Sequence, residues 1–550
     1  MPEVLTGLGV SPGVGAGPVY RLAPPPALPD QRPEVADPAG ESGHATAALE
    51  QVGAELELRA ASATATAAKV LSAQAMMARD PTLAESVAGR VLDGVPAPWA
   101  VDSALREQQD VFAAMGGYFA ERAADLDDIR ARTVAVLLDL PMPGVPSPGV
   151  PFVLVADDLA PADTAQLDPV SVRALVTARG GPTSHTAILA KALGIPAVVA
   201  CRGVLDLDDT TPVAVDGGTG AVTVLAADEV ATVQARADDA RRAAASVTGP
   251  GRTADGRPVK LLLNIGSAKD LAGVDPDSFE GVGLVRSEFL YLGRTEAPSG
   301  EEQERAYSEL FEAMGGRKVV LRTLDAGADK PLPFLGLAAE ENPALGVRGL
   351  RVSRVQPEVM ADQLGAVARA AKATDADVWV MAPMVSTVGE AAAFADQVHA
   401  LGLPRAGAMV EVPAAALQAA RLLDVVDFLS IGTNDLSQYT LATDRMSGEL
   451  ADLLDPWQPA LLQLIAICAA AGRNAGKAVS VCGEAASDPL LAPVLVGMGI
   501  TSLSMSAAAV PAVRAALAQH TWEVCESLSR LALDAADPAS ARAAVVERTG

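Results

Sequence analysis

The spacing of apolar residues changes character three times along this 550-residue chain. Over residues 4–22, short apolar steps are punctuated by glycine and proline: Val4-Leu5-Thr6-Gly7, a Ser11-Pro12-Gly13 turn, then Gly17-Pro18-Val19-Tyr20. That pattern predicts a small β unit. A proline-rich link runs from Pro24 to Pro38. From about Glu41 to Arg132, alternation gives way to Ala, Leu, Glu and Arg at helical spacing. Two or more helical hairpins are expected there, broken near Asp80-Pro81 and Pro96-Ala97-Pro98.

A second proline cluster, Pro141 to Pro151, closes the helical stretch, and the pattern becomes α/β. Phe152-Val153-Leu154-Val155 reads as a strand, and Ala162-Asp163-Thr164-Ala165-Gln166 as the start of a short helix. Val172 to Thr177 reads as another strand. It leads into Gly180-Gly181-Pro182-Thr183-Ser184-His185 and an apolar helix over 185–193. Pro196-Ala197-Val198-Val199 and Val213-Ala214-Val215-Asp216 continue the sheet. A helix rich in alanine and arginine follows over about 226–245 and ends in Thr248-Gly249-Pro250-Gly251, the clearest linker in the chain.

After residue 255, short apolar strands alternate with helical stretches. Eight strands are expected, at 259–264, 282–285, 318–322, 378–381, 407–411, 426–430, 478–482 and 501–504. Eight β/α units over this length predict a (β/α)8 TIM barrel. The chain is therefore expected to be α/β and multidomain. Residues 1–22 plus 140–225 make one α/β domain, 23–139 a helical insert, 226–251 a linker helix and loop, and 252–550 the barrel.

Composition narrows the class. Half of the residues are apolar but only 3% are aromatic, so many small side chains are expected in closely packed helices. The balance of 68 acidic against 42 basic residues, net −26, argues against a broad nucleic-acid surface. Residues 41–132 hold 14 acidic and 8 basic side chains, which fits either a solvated bundle or an acidic face for a protein partner. Cys201, Cys468, Cys482 and Cys525 are scattered without metal or disulfide spacing and read as reduced thiols of a cytoplasmic protein. The stretch MPEVLTGLGVSPGVGAG lacks the basic and apolar regions of a signal peptide. Pro489 to Val513 is uncharged, but its prolines, glycines and serines break it into a short helix, a strand and a further turn, so no membrane insertion is expected.

Candidate chemistry falls in two places. His185 is one of only four histidines and opens a helix behind two glycines and two hydroxyl residues. Unpaired backbone N–H groups and a partial positive charge at a helix start suit a phosphate, and neutral imidazole is a competent nucleophile. His185 is therefore read as a phosphoryl carrier. The other place is the C-terminal ends of the barrel strands, which carry Arg286-Ser287-Glu288, Arg322-Thr323-Leu324-Asp325, Glu411-Val412-Pro413, Gly432-Thr433-Asn434-Asp435 with Arg445 further on, and Cys482-Gly483-Glu484. Arginines match phosphate and carboxylate by paired hydrogen bonds, and two carboxylates with water suit Mg2+. These ends are compatible with a small phosphorylated carboxylic acid held with magnesium.

Here the residues resemble a known family. GGPTSHTAILAKALGIPAVV looks like the phosphohistidine motif of phosphoenolpyruvate-using enzymes. GVGLVRSEFLYLGR, VVLRTLDAGADKPLP, ENPALGVRGLR, GAMVEVPAAAL, DFLSIGTNDLSQYTLATDR and VCGEAASDP are similar to the barrel motifs of the Enzyme I family, the phosphoenolpyruvate–protein phosphotransferases of bacterial sugar phosphotransferase systems. The likeness runs from the turn near residue 11 to about residue 515 and is weakest in the helical insert. It implies that His185 accepts the phosphoryl group at Nε2, and that Arg286, Arg322, Asn434 and Arg445 hold phosphoenolpyruvate. It further implies that Glu411 and Asp435 hold Mg2+, and that Cys482 protonates the enolate to give pyruvate. The phosphoryl group would pass to a histidine of the carrier HPr, docked on the helical insert, and the barrel would make a homodimer. The histidine domain would swing about residues 226–251.

The chain departs from the family pattern at three positions. Pro182 and Lys191 stand where many members have arginine, which reduces paired phosphate contacts around His185, and Ala328 replaces a usual glycine. Two other readings fit the residues less well. A phosphoenolpyruvate synthase or dikinase needs a large nucleotide-binding domain, whereas the residues before the histidine domain read as helical hairpins without a glycine-rich phosphate loop. A non-catalytic regulatory paralogue would be expected to lose site residues, and the main ones are all present.

Overall fold

Two eight-stranded sheets divide the chain, one open and one closed. The computed structural model describes residues 3–549 apart from 23–24, 63–64, 116, 142, 147, 160–166, 182–183, 293, 295, 328–331, 339 and 446–447. The short helix expected at 162–166, Pro182 and Ala328 lie outside the described residues, as does the side chain of His185.

The open sheet contains β1 (Val4–Thr6), β2 (Leu8–Ser11), β3 (Val14–Arg21), β4 (Phe152–Ala156), β5 (Val172–Thr177), β6 (Ala197–Val199), β7 (Pro212–Asp216) and β8 (Ala221–Val224). Their order is β1-β8-β7-β3-β4-β5-β6-β2. Pairing is parallel from β3 through β6 and antiparallel elsewhere. β4 is apolar and buried at every position because both faces of the sheet are covered. Phe152 and Leu154 pack with Leu175, Ala187 and Ala190, under helix His185–Leu193. Val153 and Val155 point the other way and pack with Val176, Val198 and Cys201.

The crossover from β3 to its parallel neighbour β4 carries the helical insert: Pro38–Ser62, Ala65–Ala78, Pro81–Leu92, Ala97–Met115 and Gly117–Leu137. These helices close a core of their own that includes Leu49, Val52, Leu56, Leu83, Val87, Leu105 and Ile129. The break at Asp80-Pro81 has a local cause. The Asp80 carboxylate accepts from the Thr82 N–H, and Pro81 occupies the first turn, where its missing N–H costs nothing.

The barrel strands are β9 (Lys260–Ile265), β10 (Gly281–Arg286), β11 (Lys318–Arg322), β12 (Asp377–Ala382), β13 (Ala406–Val410), β14 (Phe428–Ile431), β15 (Ala478–Val481) and β16 (Ser502–Met505). All neighbours are parallel, and β16 closes on β9 with Ser502 opposite Lys260 and Met505 opposite Leu263. This is the expected TIM barrel. One local expectation is corrected: the turn assigned after the strand near 501–504 continues into a helix, Val510–Ala518. Pro511 sits in its first turn, so it opens that helix instead of breaking it.

Helix Val230–Ser246 joins the two sheets. It touches β3 where Gln234 Oε1 accepts from the Ala16 N–H at 2.8 Å, and the following Val247 carbonyl accepts from Arg514 Nη1 at 3.5 Å. The stretch Leu450–Ala475 has the length and apolarity of a membrane span. It contains the barrel helix Pro459–Ala475, which buries Leu461, Leu462, Ile465 and Cys468 in the core.

Candidate active site

The barrel mouth is built where apolar strands end in charge. Arg322 closes β11 and is almost fully buried. Its guanidinium pairs with Glu288 after β10, lies 3.3 Å from Asp325 Oδ2 and 3.4 Å from Glu411 Oε1, and contacts Met409 Sδ at 3.6 Å. Burial alone would disfavour this cation, but the surrounding carboxylates win and hold its pKa above the usual arginine value.

Arg348 is the centre of the site. It has no exposed surface and grips two carboxylates at once. Nε and Nη2 donate to the two oxygens of Asp325 at 3.1 and 3.2 Å, while Nη1 and Nη2 donate to those of Asp435 at 3.1 Å each. The forked geometry of arginine makes this double pairing possible; a lysine could not span both partners. Asp435 also receives Arg445 Nη1 at 3.2 Å. Within ENPALGVRGLR nothing in the sequence marks Arg348 for this role. It sits on the irregular segment between β11 and helix Pro357–Lys372, where no period marks it.

Glu411 follows β13 and is buried. Its Oε2 accepts from the Met384 N–H at 2.8 Å, and Met384 holds a left-handed backbone, φ 58°, unusual for a branched-free side chain outside glycine. Burial and the neighbouring carboxylates of Asp435 and Asp325 raise the Glu411 pKa, against the pull of Arg322 and Arg348. Gly432 makes room for it: a Cβ there would lie 2.9 Å from Glu411 Cγ and 3.1 Å from Oε1.

Several donors are left unmet. The Nε atoms of Arg286 and Arg322 are buried and find no partner among the described residues. Such a donor costs about 1–3 kcal/mol. Both arginines line a cavity of about 860 Å³ that also takes in Glu411, Asn434, Arg445 and Cys482. An anionic ligand would supply the missing acceptors.

Cys482 follows β15 and is 4% exposed. Burial pushes its thiol up to about 11, so it is protonated at neutral pH. Its position is set by its backbone. The N–H donates to the Ile431 carbonyl at 3.0 Å, and its own carbonyl accepts from Asn264 Nδ2 at 2.9 Å. Asn264 Nδ2 also donates to the Ser504 carbonyl at 3.1 Å, and its Oδ1 accepts from Ser504 Oγ at 2.6 Å. Asn264 thus ties β9 to the ends of β15 and β16, a role missed in the sequence, where one amide in Leu261-Leu262-Leu263-Asn264-Ile265 was the available signal. Asn434 Oδ1 accepts from the Glu484 N–H at 3.1 Å. Cys201, Cys468 and Cys525 are buried free thiols away from this mouth.

The helix that carries His185 lies across the mouth. Ser184 caps it, its hydroxyl accepting from the Ala187 N–H at 3.2 Å, and Gly180 adopts φ 102° in the turn before it. Gly194 ends it in the left-handed region. At one end Gly181 sits against the Arg445 carbonyl, where a Cβ would come within 3.2 Å; at the other, Gly194 packs near Ala508 beyond β16. Between them Ile188 and Lys191 line the same cavity as Arg286, Arg322 and Cys482. The sequence-predicted barrel residues Arg286, Arg322, Glu411, Asn434, Asp435, Arg445 and Cys482 therefore share one cavity, and the helix that begins at His185 reaches it through Ile188 and Lys191.

Residues 240–522 match PEP-utilising enzymes in their PEP-binding domain, 6–122 in their N-terminal domain, and 149–220 in their mobile domain. The chain is 50% identical to the phosphoenolpyruvate-protein phosphotransferase of Streptomyces coelicolor over 99% of both chains. It is 40% identical to that of Haloferax volcanii and 37% identical to that of Lactococcus lactis subsp. cremoris, each over 97% of both chains. By this likeness along its whole length, the chain belongs to the phosphoenolpyruvate–protein phosphotransferase family.

Proposed function

We propose that this enzyme moves the phosphoryl group of phosphoenolpyruvate onto His185 Nε2, releases pyruvate, and passes the group to a histidine of HPr, the first step of sugar phosphotransferase transport. The observation that carries this reading is the histidine helix lying over the cavity that holds Arg286, Arg322, Asn434 and Cys482. Arg286 and Arg322 bring unmet donors to the substrate phosphate and carboxylate, with Asn434 and Arg445 beside them. The His185 lone pair attacks phosphorus, the bond from phosphorus to the enol oxygen breaks, and the electron pair leaves on the enolate. Cys482 then gives its proton to the enolate carbon, forming pyruvate, and the thiolate takes a proton back from solvent.

Glu411 and Asp435 would hold Mg2+. Among the described residues no group of three or more His, Cys, Asp or Glu is arranged as a metal cage, so water and substrate oxygens would complete the shell, as Mg2+ prefers. The fit rests on hard oxygen donors, the space that Gly432 leaves beside Glu411, and carboxylates whose mutual repulsion a cation relieves. When bound, Mg2+ neutralises charge on the substrate oxygens.

Residues 1–22 plus 140–225 act as the phosphohistidine domain and 23–139 as the HPr dock. Residues 226–251 form the hinge, and 252–550 the substrate barrel and homodimer contact, in a cytoplasmic enzyme. Incubation with ³²P-phosphoenolpyruvate and Mg2+ tests the reading: acid-labile label is expected on the protein and absent from His185→Ala. Undiminished labelling of that variant would overturn it.

A further inference from the structure

Among the described residues, polar contacts made by Lys191 and by Arg542 cross between the histidine domain and the barrel, and the reaction described above uses neither. Lys191, in the last turn of the His185 helix, pairs with Glu484 beyond β15; their side chains are 12% and 30% exposed. Arg542 stands on the last helix, Pro538–Thr549, and its Nη1 donates at 2.7 Å to the Gly218 carbonyl in the turn between β7 and β8. Within that turn Asp216 Oδ1 accepts from the N–H groups of Gly218 and Thr219 at 2.8 and 3.1 Å.

The barrel side of the second contact is equally built. The Arg542 guanidinium lies 3.7 Å from both Asp455 and Asp488 and 5.1 Å from the centre of the Trp457 ring, and Asp488 accepts from Trp457 Nε1 at 2.9 Å. Lys191 and Arg542 line one narrow cleft between the two domains. Arg542 lies beyond residue 522, where the match to the PEP-binding domain stops.

We propose that Lys191–Glu484 and Arg542–Gly218 form a two-point latch. It holds the His185 helix on the barrel mouth while phosphoenolpyruvate reacts, and it opens for the transfer to the acceptor protein. Lys191, Glu484 and Arg542 are positioning residues. Partly exposed ion pairs are individually weak and screened by salt, which suits a closure that must be undone in every cycle. The point charge of a lysine pairs with Glu484 without the forked grip that an arginine would add.

The inference rests on the proposed function, and two separable measurements test it. Glu484→Lys and Arg542→Ala are each expected to slow phosphorylation by phosphoenolpyruvate roughly tenfold. Transfer from already phosphorylated protein to HPr should hold its rate or rise. The charge swap Lys191→Glu with Glu484→Lys should recover the first rate to within about threefold, and Arg542→Lys should lose less than Arg542→Ala. Small-angle X-ray scattering should show a larger radius of gyration for the two loosening variants. Wild-type phosphorylation rates with unchanged scattering would overturn the latch, as would equal loss in both half-reactions with no recovery on swapping. If the wild-type protein takes no label from phosphoenolpyruvate, the functional reading falls, and scattering still decides whether the contacts hold the domains together.

Discussion

Arg348 and Asp435 face each other through two parallel hydrogen bonds of 3.1 Å, and the opposite edge of the same guanidinium holds Asp325. All three groups are buried. Removing the arginine leaves two carboxylates with their largest favourable partner gone. Breaking a buried pair in this way typically costs about 3–5 kcal/mol. Arg348→Ala is expected to lower the thermal midpoint by several degrees and to abolish labelling by phosphoenolpyruvate. Arg348→Lys, which keeps charge but not the fork, should regain stability more than activity. A variant with wild-type melting and labelling would remove Arg348 from the centre of the site.

Cys482 gives a pH prediction whose sign is fixed by burial. Its folded pKa, pushed up to about 11 by burial, lies above that of an ordinary thiol, so the folded state keeps the proton after the unfolded chain has lost it. The contribution to stability is complete below pH 9 and is lost as pH rises through about 11. The same shift makes the thiol a slow nucleophile. Alkylation of Cys482 by iodoacetamide, followed by peptide mass spectrometry, should lag a free thiol at pH 8 and keep rising up to about pH 11. A plateau near pH 9 would show an unperturbed thiol. Cys482→Ala should slow pyruvate formation while leaving the protein folded.

The barrel was legible because each strand is a short apolar run bounded by loops, and every expected strand lies within two residues of an observed one. The gathering of its candidate site residues was legible because that fold brings strand ends together, so Arg286, Arg322, Glu411 and Cys482 could be placed at one mouth without coordinates. What escaped were contacts with no local signature. Arg348 lies on an irregular segment, and nothing near it in sequence announces Asp325 and Asp435 as partners. Lys191 read only as a departure from arginine; its pairing with Glu484 exists because two distant domains meet. Helix Val510–Ala518 was hidden by Pro511, whose effect depends on whether it falls at the start or the middle of a helix.

Asn264 is expected to act through Cys482. Its amide joins the Cys482 and Ser504 carbonyls, and Asn264→Leu keeps volume while leaving both buried acceptors without that donor. The cost is about 1–3 kcal/mol. Steady-state pyruvate formation should fall roughly tenfold in kcat with little change in KM, because the arginines proposed to bind substrate are untouched. A rise in KM with kcat preserved would instead place Asn264 in substrate binding.

Gly432 separates space from charge at the proposed cation site. A methyl group there would sit 2.9 Å from Glu411 Cγ and must push the side chain from its place between Arg322 and the Met384 N–H. Gly432 adopts φ −91°, so alanine meets no backbone penalty and the effect falls on Glu411 itself. Gly432→Ala is expected to raise the Mg2+ concentration needed for half-maximal labelling by roughly tenfold or more, which is about 1.4 kcal/mol of lost cation affinity. Its thermal midpoint in the absence of metal should change far less than that of Arg348→Ala. The sensitive measurement is a Mg2+ titration of the initial labelling rate at saturating phosphoenolpyruvate. Chelation should stop labelling in both proteins, and excess Mg2+ should restore the variant. An unchanged Mg2+ requirement would move the cation away from Glu411.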